Sequence, residues 1–317
     1  MPRFKNYIPH GVIPALILPF KESDLSIDEE AYRKHVRFVS STKGISTIMI
    51  TGQSQEASAL TFEEQKRVIA ITMEEVGDRL PVVPGVYADC GREAARLARL
   101  AEKEGGSGLL VFPPAPFVRG SQLRPEMAIA HFKSVADATD LPMIAFQYEL
   151  SSGQGYPLDT LVHLAEEIPT FAAIKDRSNN PVLHERHIRV LQNLPRPVNV
   201  LTTHSAWLMA SLVLGCNGLL SGSGSIVADL QVALWQAIQN NDLKQARRIN
   251  DRIYPLSSIF YSEPLLDMHN RMKEALVMLG RIPSAACRLP WVRVNQEEVE
   301  RIRKTLQQAG VRPEGSF

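Results

Sequence analysis

Short apolar runs alternate with amphipathic stretches from near the N-terminus to about residue 240. The runs are Val12–Pro19, Ile45–Thr51, Pro81–Val86, Gly108–Phe112, Pro142–Tyr148, Phe171–Lys175, Val198–Thr202 and Gly218–Ser221. Most are continuous and do not alternate with polar residues, as expected of parallel strands covered on both faces. Helical patterns separate them. Ser26-x-x-Glu29 and Thr61-x-x-Glu64 are capping-box spellings. Ala94, Leu97, Ala98 and Ala101 fall at i, i+3, i+4 and i+7, the spacing of one buried helix face. Pro157 stands where a helix could begin. Eight βα units in series predict an α/β chain folded as a (β/α)8 TIM barrel, with a doubly wound open sheet as the alternative.

After about residue 241 the strand signal stops. Asp242–Tyr261, Pro264–Leu279 and Gln296–Ala309 read as helices, the first kinked or broken at Pro255. The expected organisation is a barrel over residues 1–240 and a C-terminal helical appendage over 241–317, packed on the barrel or on a neighbouring subunit. The last five residues, Pro313 to Phe317, read as a frayed tail.

Composition narrows the function classes. Of 317 residues, 44% are hydrophobic and 22% charged, which supports a large core and argues against global disorder. Lys plus Arg number 35 and Asp plus Glu 34, so the balance gives no reason to expect nucleic acid or an acidic membrane as partner. Cys90, Cys216 and Cys287 form no CxxC pair, so no disulfide framework or zinc ribbon is expected. The N-terminus lacks the apolar core of a signal peptide, and no run of about 18 apolar residues occurs. The expected location is cytoplasmic.

Barrel enzymes place their chemistry at the C-terminal ends of the strands. Strand six ends in Ile174-Lys175-Asp176, so the Lys175 amine is expected among apolar neighbours at the barrel mouth. Desolvation disfavours an ammonium, and a neutral amine can attack a ketone to give a Schiff base. The structural reading of the same residue is a solvated lysine paired with Asp176. After strand two, Gly52-Gln53-Ser54 offers backbone N–H groups to an anion or forms a plain turn.

The order of motifs adds to this. Gly52-x-x-x-Glu56 follows strand two, Leu141-Pro142-Met143-Ile144 opens strand five, and Ile174-Lys175-Asp176 ends strand six. With Gly11-Val12-Ile13-Pro14-Ala15, Pro84-Gly85-Val86, Asn270-x-x-x-Glu274-Ala275-Leu276 and Arg288-Leu289-Pro290, the chain resembles the dihydrodipicolinate synthase / N-acetylneuraminate lyase family over nearly its whole length. The resemblance implies a homotetramer or homodimer of barrels that condense, cleave or dehydrate 2-oxo acids through an imine on the strand-six lysine. It implies that Gln53 and Ser54 bind the substrate carboxylate, with Gly52 and Glu56 matching the family's Gly and Glu, and that the loop at Ser221 and Gly222 borders the pocket.

The departures bear on specificity. The family's proton-relay tyrosine aligns with Phe146, and Tyr148 lies two residues on, on the same strand face. Tyr148 either supplies the missing phenol or packs. Ser151 stands where dihydrodipicolinate synthases carry an arginine, and Pro113-Pro114-Ala115-Pro116 replaces their tyrosine pair. These differences point away from a true dihydrodipicolinate synthase and toward the dehydratase and hydratase-aldolase branches. Glu149 and Arg119 are candidates for the distal part of a substrate, or are solvated. His204 is a second acid/base, a distal contact or an idle loop residue. His184-x-x-His187 has ligand spacing but no evident third ligand, so no metal is expected. Trp207, Trp235 and Trp291 read as core or interface anchors.

The reading is a Schiff-base lyase for a 2-oxo acid such as pyruvate, with Lys175 as nucleophile, Tyr148 (aided by Ser54) moving protons, and no metal or organic cofactor. Two rivals are a barrel enzyme for a phosphorylated substrate held at Gly222–Gly224, and a catalytically silent paralogue that only binds a 2-oxo acid.

Overall fold

In the computed structural model, which describes residues 4–313, every apolar run becomes a strand. These are β1 (Gly11–Pro14), β2 (Ile48–Ile50), β3 (Val82–Val86), β4 (Leu109–Val111), β5 (Met143–Gln147), β6 (Phe171–Asp176), β7 (Asn199–Thr202) and β8 (Gly218–Ser221). All pairings between them are parallel, in the order β1-β8-β7-β6-β5-β4-β3-β2. The ring closes between β1 and β2 through parallel bridges Val12–Ile45 and Ala15–Met49. Leu16 N donates to Met49 O at 3.0 Å there. This is a (β/α)8 barrel, and the doubly wound alternative falls because an open sheet has two unpaired edges. The predicted first run overshoots: beyond Pro14 the chain stays buried to Phe20 but leaves the strand.

Helices α1 (Glu29–Ser40), α2 (Phe62–Val76), α3 (Gly91–Lys103), α4 (Pro125–Ala136), α5 (Leu158–Glu167), α6 (Pro181–Leu191), α7 (Leu208–Val213) and α8 (Gly224–Gln239) form the outer layer. The capping box predicted at Thr61 and Glu64 is present at the start of α2. The one predicted at Ser26 is not: Asp28 caps α1 through Ala31 N, while Ser26 donates to Asp24. Pro157 is the N-cap of α5, one residue outside the helix. Ala94, Leu97, Ala98 and Ala101 are all buried, as their spacing requires.

Past α8, helix α9 (Leu243–Phe260) runs through Pro255, so of the expected kink or break the break does not occur. Ile253 and Leu256 anchor the turns on either side in the core, which offsets the one hydrogen bond that proline removes. Helices α10 (Met268–Met278) and α11 (Gln296–Gln308) follow. The buried faces of α9, α10 and α11 join the same apolar cluster as the barrel's outer helices. Of the tail predicted to fray, Glu314 to Phe317 lie outside the described residues.

Alternation along each strand sets which residues enter the barrel. Ile13, Met49, Val83, Leu110, Ile144, Ala173, Leu201 and Leu220, one from each strand, form a separate buried cluster inside the ring. Two residues further along the same faces stand Ala15, Phe112, Phe146, Lys175, Thr203 and Gly222 at the C-terminal mouth. Residues one position off those faces, Asp176, His204 and Ser221 included, point outward to the helices.

The appendage reaches back to this mouth. Glu56, in a left-handed conformation (φ 54°) after β2, is fully buried. It accepts from the Lys273 ammonium of α10 and from Arg288 N at 2.9 Å. Lys273 Nζ also donates to Ala286 O at 2.7 Å. Glu56→Ala would leave the Lys273 ammonium buried without its counter-ion, a loss of about 3–5 kcal/mol for such a pair. Urea unfolding should show that deficit; a loss below roughly 1 kcal/mol would mean that the pair does not hold the appendage to the β2 loop.

Candidate active site

The inward-facing residues above the core line a cavity of about 430 Å³ at the C-terminal mouth. Lys175 enters it from the end of β6. The side chain is 8% exposed, and its Nζ lies 4.3 Å from the centroid of the Phe146 ring. Among the described residues it has no hydrogen bond or ion pair. The expected alternative, a pair with Asp176, does not form, because adjacent strand residues face opposite ways and Asp176 is engaged on the far side by His184 and His187. Burial, and after it the Arg177 guanidinium, lowers the Lys175 pKa to about 7. The Phe146 ring favours the ammonium, since a π face attracts cations, but desolvation outweighs it.

Gln53 and Ser54 enter the cavity from the turn after β2. Their backbone N–H groups sit at the start of a short 3-10 turn, ahead of the bonds from Gln55 N to Gly52 O and Glu56 N to Gln53 O. Neither has an acceptor among the described residues, so both are free to meet an anion. The turn is held rigid. Thr51 N donates to Gln55 Oε1 at 2.6 Å, and Ser54 Oγ donates to Leu16 O at 2.8 Å. Gly85 on the neighbouring strand is required there, because a Cβ would lie 2.4 Å from Thr51 O. Gly52 is buried beside the cavity and does not line it.

Tyr148 lies inside the barrel, with its ring 4.4 Å from that of Phe146. It does not line the cavity; its Oη accepts from Gln53 Nε2 at 2.7 Å, which links it to a residue that does. Burial pushes its phenol well above the ordinary value, so the hydroxyl keeps its proton. Gly222 lines the cavity, whereas Ser221 faces outward and meets Tyr261 Oη at 3.2 Å. His204 is a correction to the expected site. Its side chain points out of the barrel, stacked on Trp207 with centroids 4.2 Å apart, and burial pushes its imidazole down to about 3. Glu149 reaches the cavity, and Arg119 is exposed away from it.

The structure adds lining residues that sequence reasoning missed. Tyr87 and Arg177 lie two residues beyond Gly85 and Lys175, so the same period of two could have found them. Arg177 is tied to Glu149 at 3.4 Å, and Asn179 donates to the same carboxylate. Tyr261, His269 and Trp291 arrive from the C-terminal segment, and no periodic pattern announces their position. Trp291, expected as a core or interface anchor, instead lines the cavity against His269, with centroids 5.0 Å apart. Tyr261 Oη also accepts from Ser223 N at 3.1 Å.

Comparison with known proteins bears on this arrangement. Residues 8–309 match the sequence model of the dihydrodipicolinate synthetase family. A 4-hydroxy-tetrahydrodipicolinate synthase of Maridesulfovibrio salexigens is 27% identical over 303 residues, 95% of this chain and 98% of the relative. One from Methanopyrus kandleri is 28% identical over 307 residues, 96% of this chain and 98% of its own. Among solved structures, dihydrodipicolinate synthase from Aquifex aeolicus superposes with a TM-score of 0.86 at 25% identity, covering 97% of this chain and 100% of that one. The chloride-inhibited Acinetobacter baumannii enzyme, complexed with pyruvate, gives 0.84 at 27% identity, covering 95% and 99%. With its closed barrel and the family model spanning nearly all of its length, this chain belongs to the dihydrodipicolinate synthetase family.

Proposed function

We propose that the protein is a Schiff-base-forming lyase, an aldolase, hydratase-aldolase or dehydratase, acting on a 2-oxo acid such as pyruvate or a pyruvate-derived aldol. The observation that carries the reading is the unpaired Lys175 amine, buried and opening on a cavity beside the free N–H groups of Gln53 and Ser54. The substrate carboxylate is held by those N–H groups, which lie beside the Ser54 side chain. Lys175 Nζ adds to the C2 carbonyl, and loss of water gives the imine. Once protonated, the imine nitrogen draws electrons from C3. A C3 proton leaves, a C3–C4 bond opens, or a hydroxyl departs, and the reverse steps form those bonds. The imine is itself the electron sink, so the reaction calls for no organic cofactor.

Proton transfer needs a hydroxyl that Phe146 lacks. Tyr148 is the proposed donor: its Oη accepts from Gln53, which leaves its own hydrogen free to donate. Ser54 gives its hydrogen to Leu16 O and so offers its oxygen as an acceptor. Tyr261 is a second candidate, because its hydroxyl lies at the cavity beside Gly222. Phe146, Ser151 and the Pro113-Pro114 stretch support a specificity other than that of the named relatives. The reading carries with it the homotetramer or homodimer that the family resemblance implies, and the cytoplasmic location expected from the sequence.

The phosphorylated-substrate rival finds less support. The Ser223 N–H is already given to Tyr261, and a Cβ at Gly224 would lie 2.9 Å from Pro14 Cα, which leaves little room for an anion there.

Borohydride reduction in the presence of pyruvate should place one adduct on Lys175 and none on Lys273, whose amine is bound by Glu56; Lys175→Met should give none. An adduct confined to another lysine would remove the basis of the reading. The trapping rate should rise between pH 6 and 8, because only the neutral amine attacks and the Lys175 pKa is about 7. Arg177→Met removes a repelling cation and should move that midpoint upward; a downward move would contradict the electrostatic account. In D2O, loss of the pyruvate methyl-proton signal should slow roughly 10²–10⁴-fold in Tyr148→Phe if its phenol moves the proton. The same loss in Tyr261→Phe alone would transfer that role. Pyruvate binding by the wild type with neither exchange nor trapping would identify a silent binding protein.

A further inference from the structure

The reaction proposed above leaves a buried cluster on the outward face of β6 unused. Asp176, His184, His187 and His204 all have side chains fully removed from solvent. His184 Nδ1 lies 2.8 Å and His187 Nδ1 2.7 Å from Asp176 Oδ2, and His204 Nε2 lies 3.7 Å from Oδ1. One ligand atom each from Asp176, His184 and His204 falls within 4.8 Å of the other two.

The surrounding hydrogen bonds fix where the ring protons sit. His184 Nε2 contacts Ser211 O at 3.3 Å, and a carbonyl only accepts, so that nitrogen carries hydrogen. Ser211 Oγ gives its hydrogen to Leu208 O, so Thr202 Oγ1 must donate to Ser211 Oγ. Thr202 Oγ1 therefore accepts from His204 Nδ1 at 3.1 Å, which places hydrogen on that nitrogen too. With those nitrogens engaged elsewhere, His184 Nδ1 and His204 Nε2 are the ring atoms turned toward the Asp176 carboxylate. The Ser178 hydroxyl lies 3.4 Å from His204 Nε2. A buried carboxylate met by three imidazoles is a charge that a dry interior tolerates only with shared protons or a cation beside it.

We propose that Asp176, His184 and His204 bind a divalent transition-metal ion of the zinc class, with the Ser178 hydroxyl or a water completing its shell. Two imidazoles and a carboxylate suit such an ion better than magnesium or calcium. Bonds of roughly 2.0–2.1 Å in a tetrahedron set ligand atoms about 3.3 Å apart; here His184 Nδ1 lies 2.8 Å from one carboxylate oxygen of Asp176 and His204 Nε2 3.7 Å from the other. The ring N–H bonds to Ser211 O and Thr202 Oγ1 are the outer contacts that orient metal-binding imidazoles. His187 Nδ1 and Ser178 N steady the carboxylate in the same way. The ion would join β6, α6 and the turn after β7. Asp176 adjoins Lys175, and His204 stands between the cavity residues Thr203 and Ser205. Its role is to stiffen the wall that carries the amine, with no part in the reaction.

The test is titration of chelator-stripped full-length protein with Co2+, read by its visible absorption and reversed by Zn2+. One equivalent with the spectrum of a four-coordinate nitrogen–oxygen site is expected. His184→Gln and His204→Asn should each lose it, and His187→Gln should weaken it about 10–100-fold, with circular dichroism checking the fold of each. If a variant does not fold, the wild-type titration decides alone. Absence of a stoichiometric band in the wild type would overturn the proposal, and ¹⁵N shifts marking His184 as an imidazolium would show that a proton fills the place. A band unchanged in folded His184→Gln and His204→Asn would overturn it equally. Failure to trap pyruvate on Lys175 would leave this result untouched, so the two readings fail separately.

Discussion

Burying an ammonium costs several kcal/mol, and the Phe146 ring beside Lys175 Nζ returns only about 0.5–2 kcal/mol of that. Among the described residues no carboxylate closes the gap. Asp176, next in sequence, is on the other side of the strand with its histidines, and Glu56 is committed to Lys273. Glu149, which does reach the cavity, is shared by Arg177 and Asn179. Losing the proton is therefore the cheapest way for Lys175 to occupy its place, and the Arg177 cation tilts the balance the same way.

That outcome requires a dry and rigid surround. The core beneath the amine is a ring of eight side chains, one from each strand, which seals the barrel below the cavity. The loop after β2 is fixed from several directions: Thr51 by Gln55, Ser54 by Leu16, and Glu56 by Lys273 and Arg288. The last two contacts come from the C-terminal segment, which also lends Tyr261, His269 and Trp291 to the cavity. The appendage thus completes the mouth of the barrel and anchors the anion-binding turn.

Much of this was legible in the sequence because it is local. Continuous apolar runs mark strands buried on both faces, and a period of two orders the residues within each strand. From these alone Lys175 could be placed at the mouth. Carried one step further, the same count reaches Arg177 and Tyr87, and it sets His204 and Ser221 outside the barrel. What the sequence hid is non-local. Nothing in the spacing of His184 and His187 reveals that Asp176 and His204 meet them, since those contacts depend on how α6 lies over β6 and β7. Nor does a helical pattern at Tyr261 or a lone Trp291 reveal which cavity it will reach. Pro255 differs for the opposite reason: the break that a strong local rule allows is prevented by core packing on both sides of it.

The central claim is that the resting Lys175 amine is about half uncharged at pH 7, before any substrate arrives. Lysine-selective ¹⁵N labelling would resolve its Nζ resonance, with Lys175→Arg to assign it, and a pH titration of the free protein would follow its protonation. The account requires a midpoint close to 7. A midpoint near the 10.4 of a solvated lysine would contradict it.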